Sequence, residues 1–108
     1  MFALDQASAE TSSDVIKGTI LVFDFEALAL IDLGATYSFI SPSFACKLCE
    51  HVKPLPLGKI LLISTPVRDN VMTEYVCKSC KLKVGEKDMS TDLILLTMKD
   101  FDVILGMD

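Results

Sequence analysis

Asp32 is the residue whose sequence context best suits a reactive carboxylate. Asp32 ends a run of five apolar residues, Ala27 to Ile31, and Gly34 follows two positions later. An unbroken apolar run predicts a strand buried on both faces, so its last residue lies where solvent first reaches the core. Glycine then lets the chain turn sharply beside the carboxylate. The stretch predicts either a carboxylate held on a rigid base or an ordinary Asp-x-Gly turn.

The four cysteines form a second arrangement with possible chemistry. They occur as two C-x2-C pairs, Cys46 with Cys49 and Cys77 with Cys80, separated by 27 residues, as in some four-thiolate zinc sites. Against zinc, the first pair falls at the end of a predicted helix, the second falls at a predicted strand end, and no glycine follows either pair. We therefore expect reduced thiols, some of them in the core, and no bound metal or cofactor.

The remaining titratable residues offer little chemistry. His51 is the only histidine, and it lies in a proline-containing segment where we expect it to point to solvent. A Cys49–His51 nucleophilic pair is not expected, because residues two apart are poorly placed to meet. A solvated surface role is expected for three further acidic residues: Asp92, Asp100 and Asp102.

The length and composition predict one small globular domain. The chain has 108 residues, of which 51% are hydrophobic and 23% charged, which suffices for one core but not for two lobes. A formal charge of −5 argues against a nucleic-acid partner. No apolar run reaches the roughly 20 residues of a membrane span, and the N-terminus does not resemble a signal peptide. We therefore expect a cytoplasmic protein without a membrane partner.

The pattern of apolar and turn-forming residues predicts a mostly β fold with one short helix. Residues 1–14 are expected to form a flexible linker, and residues 15–108 the folded domain. The helix is predicted from about 42 to 49, because Ser41 suits its cap and Pro42 its first turn. The predicted strands are 16–23, 27–31, 60–64, 71–76, 81–84, 89–96 and 102–108.

Most of these strands are expected to pair as three hairpins. Their connections are predicted at 24–26, 65–70 and 85–88, where polar residues or glycine occur. Residues 51–58 carry two prolines at alternate positions and are predicted to be an extended connector. Strands of this number and length favour a small β-barrel that is closed or nearly closed.

Two apolar segments that break at glycine, LIDLGA at 30–35 and VILGMD at 103–108, lie about 70 residues apart. They make the chain resemble the retropepsin-like aspartic proteinases of long-terminal-repeat retrotransposons, in particular the plant type within gag-pol polyproteins. That family has Asp-Ser/Thr-Gly-Ala, often followed by Thr-His-Ser-Phe-Ile-Ser, and this chain has DLGATYSFIS at 32–41. The family's closing element, DVILGMD, stands unchanged at 102–108. The resemblance covers about residues 15–108 and implies a barrel of the retropepsin (acid protease) type.

The resemblance implies an aspartic endopeptidase whose active site forms when two identical chains pair. Each chain would contribute one catalytic residue, Asp32, and the two carboxylates would share one proton and activate a water molecule held between them. Leu33, Gly34 and Ala35 would form the active-site loop, the last two through close backbone approach. The substrate would be an extended peptide or polyprotein, bound as an added strand.

The resemblance also assigns a substrate-covering flap to the predicted hairpin 60–76. Flaps close over bound peptide and exclude water. The tip lacks the glycine that is usual in the family, so an ordinary exposed hairpin is the alternative. The tip consists of Pro66, Val67, Arg68, Asp69 and Asn70.

One residue departs from the family pattern. The family has a serine or threonine after the catalytic aspartate, whose hydroxyl joins a hydrogen-bond network across the dimer, and here that residue is Leu33. We therefore expect weak proteolytic activity or none. Two functions stay open. One is a homodimeric endopeptidase that processes a retrotransposon polyprotein, within the cell or a virus-like particle. The other is an impaired retropepsin fold that serves as a dimerisation or peptide-binding module.

Overall fold

A computed structural model of the protein describes residues 4–6, 15–63 and 71–106, with side chains for residues 15–58 and 73–106. Within these ranges the chain forms eight strands and one helix, so the predicted mostly β fold is confirmed. In chain order the elements are β1 (Leu4–Gln6), β2 (Val15–Val22), β3 (Phe25–Asp32), β4 (Phe39–Ile40), α1 (Pro42–Lys47), β5 (Leu55–Ile63), β6 (Val71–Val84), β7 (Lys87–Leu95) and β8 (Val103–Gly106).

Six of the strands close into a barrel. The strands lie side by side in the order β1-β2-β3-β8-β4-β7-β6-β5. β2 also pairs with β6, Leu21 opposite Lys83 and Val22 opposite Leu82, and this pairing joins the two sides of the sheet. β1 and β5 then lie outside the ring, each beside one of the closing strands. Because β3–β8 and β4–β7 are parallel and the other pairs antiparallel, the barrel is mixed.

The paired strands β3 and β8 are the part of the barrel that positions the candidate site. They run in parallel, with Asp32 opposite Gly106. Neighbouring side chains of β3 enter different clusters of the core, Ile31 one and Leu30 the other, and β8 alternates in the same way. Both faces of β3 are therefore buried from Ala29 to Ile31, just before Asp32. Leu28, in the same apolar run, is 46% exposed, so the predicted burial on both faces holds only for the end of the strand.

The helix begins where it is predicted and ends two residues earlier. Ser41 is its N-cap, and the Ser41 Oγ accepts a hydrogen bond from the N–H of Phe44 at 3.2 Å. Pro42 occupies the first turn, where its missing N–H costs nothing. The helix ends at Lys47 rather than at 49. Phe44 and Leu48 are fully buried and attach this segment to the barrel.

The first hairpin turns earlier than predicted. Its two turn residues are Phe23 and Asp24, with φ of 48° and 71°, rather than residues 24–26. Positive φ at both central residues fits the right-handed twist of a two-residue hairpin. Asp24 tolerates this conformation, but phenylalanine is not a residue that sequence patterns associate with it, so the pattern places the turn one residue late.

The largest correction concerns β6. The segments 71–76 and 81–84 are predicted as separate strands of two hairpins, but they belong to one strand of 14 residues. β6 pairs with β5 on one side and with β7 on the other. Its register shifts between Cys77 and Cys80, where Ser79 has a φ of 54°, so the strand contains a bulge. The bulge interrupts the alternation of side chains, which is why the sequence pattern divides there.

Several boundaries also differ from the predictions. β5 begins at Leu55, inside the predicted connector 51–58. The third hairpin turns at residues 85–86, within the predicted turn 85–88, and β7 accordingly starts at Lys87. The short strand β4 is not predicted at all. It pairs with β7 and β8, far along the chain, and two residues give no periodic signal.

Some predictions concern residues outside the described ranges. Of the predicted linker 1–14, the structure describes residues 4–6, which form β1 and pair with β2. The tip 65–70 and residues 107–108 also lie outside the described ranges. In the part of the chain that is described, no helix is long and apolar enough to cross a membrane.

Candidate active site

Asp32 lies partly buried at the end of β3, where the chain leaves the barrel. Its Oδ1 accepts a hydrogen bond from the N–H of Gly34 at 3.1 Å, and its carbonyl oxygen accepts one from the N–H of Ala35 at 3.2 Å. The first bond restricts the orientation of the carboxylate, and the second closes the backbone turn after Asp32. The structure thus brings Asp32, Leu33, Gly34 and Ala35 together in one tight turn.

The glycine that the backbone requires here is Gly106 rather than Gly34. A Cβ added at residue 106 would lie 2.5 Å from the carbonyl oxygen of Tyr37 and 2.6 Å from that of Ala35. A Cβ added at Gly34 would meet only Asp32 Oδ1, at an ordinary contact distance of 3.8 Å, and Gly34 does not have positive φ. The close backbone approach predicted for the loop therefore depends on the end of β8.

Ser38 links the end of β8 to the loop by a hydrogen bond. Its Oγ accepts a hydrogen bond from the N–H of Gly106 at 3.0 Å, and its carbonyl oxygen accepts one from the N–H of Ile94 at 2.9 Å. The motif DLGATYSFIS contains Ser38 but predicts no role for it. The available signal is a hydroxyl residue directly before the apolar Phe39-Ile40, because a buried hydroxyl needs a hydrogen-bond partner.

Asp102 links β3 and β8 by hydrogen bonds at the other end of their paired segment. Its Oδ2 accepts a hydrogen bond from the N–H of Leu28 at 2.9 Å, and its own N–H donates to the Leu28 carbonyl at 2.8 Å. Asp92 similarly accepts from the N–H of Ser79 at 2.9 Å, at the bulge of β6. Asp92 is exposed, as predicted, and Asp102 is half-buried; each also caps a backbone N–H, a role that the sequence pattern does not predict. Asp100 is exposed, as predicted.

A cleft of ≈ 340 Å³ borders the loop. Tyr37, Ser38 and Gly106 contribute to one wall, and residues of β6 and β7, including Val76 and Ile94, contribute to the other. Tyr37 is 49% exposed. The loop therefore shows an aromatic side chain to solvent beside an open cleft, close to the end of β3.

A larger cleft, ≈ 730 Å³, surrounds the turn at the opposite end of β3 from Asp32. His51 lies in its wall, exposed as predicted, but its ring stacks on Phe23 with 5.1 Å between centroids and meets Phe25 edge-on at 6.1 Å. The lining contains two lysines and two aspartates, so it has no strong preference for one sign of ligand charge. These are Lys81, Lys83, Asp24 and Asp88.

The two cysteine pairs lie in different environments. Cys77 and Cys80 are fully buried, whereas Cys46 and Cys49 are exposed at the end of α1. Burial raises the pKa of Cys77, and burial, with smaller contributions from Cys77 and Asp92, raises the pKa of Cys80 to about 12. Among the described residues, no three of His, Cys, Asp or Glu are placed to hold a metal ion. These residues therefore supply no cage for the zinc alternative.

The predicted flap is described only in part. β5 and β6 pair as a hairpin up to Ile63 opposite Val71. The tip residues Pro66, Val67, Arg68, Asp69 and Asn70 lie outside the described ranges, so the substrate-covering role of this hairpin stays a prediction.

The closed mixed barrel and the Asp-x-Gly-Ala loop at the end of β3 define the class of protein as retropepsin-like. The sequence profile of the family described as "Retroviral aspartyl protease" matches residues 1–108. The chain therefore belongs to the retroviral aspartyl protease family.

Solved structures agree with the retropepsin-type fold. A retropepsin-like aspartic protease from Rickettsia conorii has a TM-score of 0.59 and 15% identity, and the match covers 99% of this chain and 76% of that one. The retroviral protease-like domain of Ddi1 from Leishmania major has a TM-score of 0.58 and 15% identity, with 90% and 75% covered. At such identities the likeness shows the fold alone. No curated protein sequence matches the chain.

Proposed function

We propose that this chain is one half of an aspartic endopeptidase and that Asp32 is its catalytic residue. One observation carries the proposal: a single carboxylate stands at the end of β3, just after its buried residues Ala29–Ile31, and is held by the N–H of Gly34 at 3.1 Å. Loop 32–38 contains no second acidic residue. Because the reaction of this class needs a pair of carboxylates, a second chain would supply the other one.

In the proposed homodimer, the two Asp32 carboxylates face each other and share one proton. Two close carboxylates cannot both ionise cheaply, so one stays protonated. The ionised carboxylate removes a proton from a water molecule, which attacks the carbonyl carbon of the peptide bond. The protonated carboxyl donates a hydrogen bond to the carbonyl oxygen and stabilises the charge that develops there.

The proposed substrate is an extended peptide, bound as an added strand between the loop and the β5–β6 hairpin. The cleft beside Tyr37 would receive one of its side chains. We also propose that this peptide belongs to a retrotransposon gag-pol polyprotein processed in the cytoplasm. The support for that context is the likeness of residues 32–41 and 102–108 to plant-type elements.

Leu33 favours a second candidate function, an impaired retropepsin fold that binds peptides or dimerises without cutting. Leu33 is 43% exposed in the single chain and has no hydroxyl. An unmatched polar partner across the dimer would cost about 1–3 kcal/mol. The two candidates differ in one measurable property, the cleavage of a bound peptide.

A cleavage assay tests the role of Asp32. The substrate is a set of extended peptides at about pH 5, where one carboxylate of a close pair is protonated. To secure a measurable rate, the chain is assayed with and without Leu33→Ser. Asp32→Asn should abolish cleavage. Asp24→Asn, the same change at the other end of the hairpin, should not affect it. Cleavage that survives Asp32→Asn would refute the assignment.

A mixing experiment tests whether two chains share the site. Active Leu33→Ser chain is mixed equally with Leu33→Ser/Asp32→Asn chain, and the total concentration is held constant. Random pairing leaves about one quarter of the dimers with two aspartates, whereas a site within one chain would keep about half of the activity. Sedimentation at tens of micromolar should show twice the monomer mass. A monomer that persists at millimolar concentration would refute the dimer.

A further inference from the structure

The two C-x2-C pairs have the same spacing but different backbones. Cys46 and Cys49 lie in the last turn of α1 and the residues after it, and both are exposed. Cys77 and Cys80 flank the bulge of β6 and are both fully buried. One chain therefore contains an accessible dithiol and a matched inaccessible one.

The accessible pair has a backbone suited to a disulfide bond. The N–H of Cys49 donates a hydrogen bond to the carbonyl of Cys46 at 3.4 Å, so one helix-like turn separates the two residues. Helix geometry places Cα atoms three residues apart at about 5 Å. Disulfides join Cα atoms about 4.4–6.8 Å apart. The Cα spacing therefore allows a disulfide, and both cysteine side chains are exposed, outside the buried core.

The buried pair lacks the access that exchange requires. The Cys80 Sγ donates a weak hydrogen bond to the Cys77 carbonyl at 3.5 Å, and both side chains are fully buried. A small disulfide cannot reach either sulfur without opening the core. The raised pKa of both thiols also keeps them in the unreactive protonated form at neutral pH.

We infer that Cys46 and Cys49 form a thiol-modification site, at which a small disulfide such as oxidised glutathione produces a reversible intrachain disulfide. One cysteine thiolate attacks the small disulfide, forming a mixed disulfide and releasing one small thiol. The second cysteine thiolate attacks the protein sulfur of the mixed disulfide, and the second small thiol leaves. Two protein thiols are oxidised, one small disulfide is reduced, and the two thiol protons pass to the products. The inference is independent of the proposed protease function.

Peptide mapping tests the inference, because Lys47 lies between the two cysteines. Native protein is incubated with oxidised glutathione and quenched in acid. It is then unfolded, alkylated and cut with trypsin. The expected product is residues 18–47 joined to residues 48–59 by a disulfide, in protein that migrates as a monomer without reductant. Cys77 and Cys80 should be recovered alkylated, and dithiothreitol should restore all four thiols.

Single variants separate the two steps of the exchange. Cys46→Ser and Cys49→Ser should each stop at the mixed disulfide, with one glutathione retained on the remaining thiol. The double variant should gain no glutathione and lose no further thiols. Three results would overturn the inference: a stable mixed disulfide in the unmodified chain, a disulfide between chains, or oxidation of Cys77 and Cys80 at a comparable rate.

Discussion

β3 and β8 lie side by side, and their ends differ although their sequences look alike. Each is an apolar strand that meets a glycine at its carboxyl end. At the end of β8, Gly106 is packed against two backbone carbonyls, and its N–H is bound by Ser38. At the end of β3, Gly34 has room for a side chain, and the neighbouring Leu33 is largely exposed.

The two strand ends therefore have different roles, although the same sequence pattern, an apolar strand followed by glycine, describes both. The end of β8 is a packing site, where the carbonyls of Tyr37 and Ala35 approach so closely that only glycine fits. The end of β3 is open and carries the carboxylate. The proposed catalytic role of Asp32 requires its carboxylate to be held within a fraction of an ångström, and the packed end of β8 beside it would supply that rigidity.

The largest expected effect follows Gly106→Ala. The new Cβ would meet backbone oxygens at 2.5 and 2.6 Å, and backbone atoms cannot rotate away as a flexible side chain can. Overpacking of this kind should lower the free energy of unfolding by about 3 kcal/mol. Urea denaturation of the variant beside the unmodified chain measures the loss. A change below about 1 kcal/mol would show that the loop yields and that the end of β8 is not rigid.

The next effect follows substitutions of Leu33. Leu33→Ser should strengthen the proposed dimer at least about tenfold, since a restored hydroxyl acts twice by symmetry and each unpaired group costs about 1–3 kcal/mol. Peptide cleavage should accelerate as well. Sedimentation and the cleavage assay measure the two effects. If the unmodified chain cleaves peptide as fast as the Leu33→Ser variant, then Leu33 does not weaken the site.

Two similar variants separate the hydroxyl from the bulk of the leucine. Leu33→Thr and Leu33→Val have nearly the same shape, and only threonine has the hydroxyl. Threonine should give the stronger dimer and the faster cleavage. Equal gains would show that the size of leucine, rather than its missing hydroxyl, weakens the pair. Leu33→Ser with Asp32→Asn should still dimerise and cleave nothing.

The sequence predicted the elements of the fold better than their partners. Apolar periodicity and turn residues identified the mostly β class, and Ser41-Pro42 identified the start of the helix. They did not identify the parallel pairing of β3 with β8 or the strand β4, because the partners lie far along the chain. The unbroken length of β6 was missed because the bulge at Cys77–Cys80 disturbs the alternation.

The same contrast between local and distant features applies to the candidate site. Asp32 and its loop were predicted because the motif is local and every residue in it is adjacent. Ser38 and Asp102 were missed as structural acceptors because their donors lie 68 and 74 residues away. The sequence pattern favours Gly34 for the close backbone approach, whereas in the single chain the glycine that meets backbone atoms is Gly106, which only the folded structure shows.

A smaller effect is expected for Ser38→Ala. The N–H of Gly106 would lose its acceptor, which should lower the free energy of unfolding by about 1–2 kcal/mol. Amide hydrogen exchange at Gly106 should accelerate, and this second measurement distinguishes the lost bond from a general loss of packing. Ser90→Ala, at an exposed serine of β7, is the control and should change neither quantity. Unchanged exchange at Gly106 would contradict the proposed link between the loop and β8.

The smallest effect on the single chain is expected for Gly34→Ala, the counterpart of Gly106→Ala. The added Cβ meets only Asp32 Oδ1 at 3.8 Å, and the backbone of Gly34 suits any residue. Alanine also restricts the unfolded chain, so the free energy of unfolding should stay constant or rise by about 0.5 kcal/mol. Any requirement for glycine at residue 34 would then come from a second chain rather than from the fold. In the Leu33→Ser background, Gly34→Ala should therefore not lower the resistance of dilute monomer to urea, while it weakens dimerisation and cleavage. A variant that is stable and fully active would show that the second chain does not approach this loop closely.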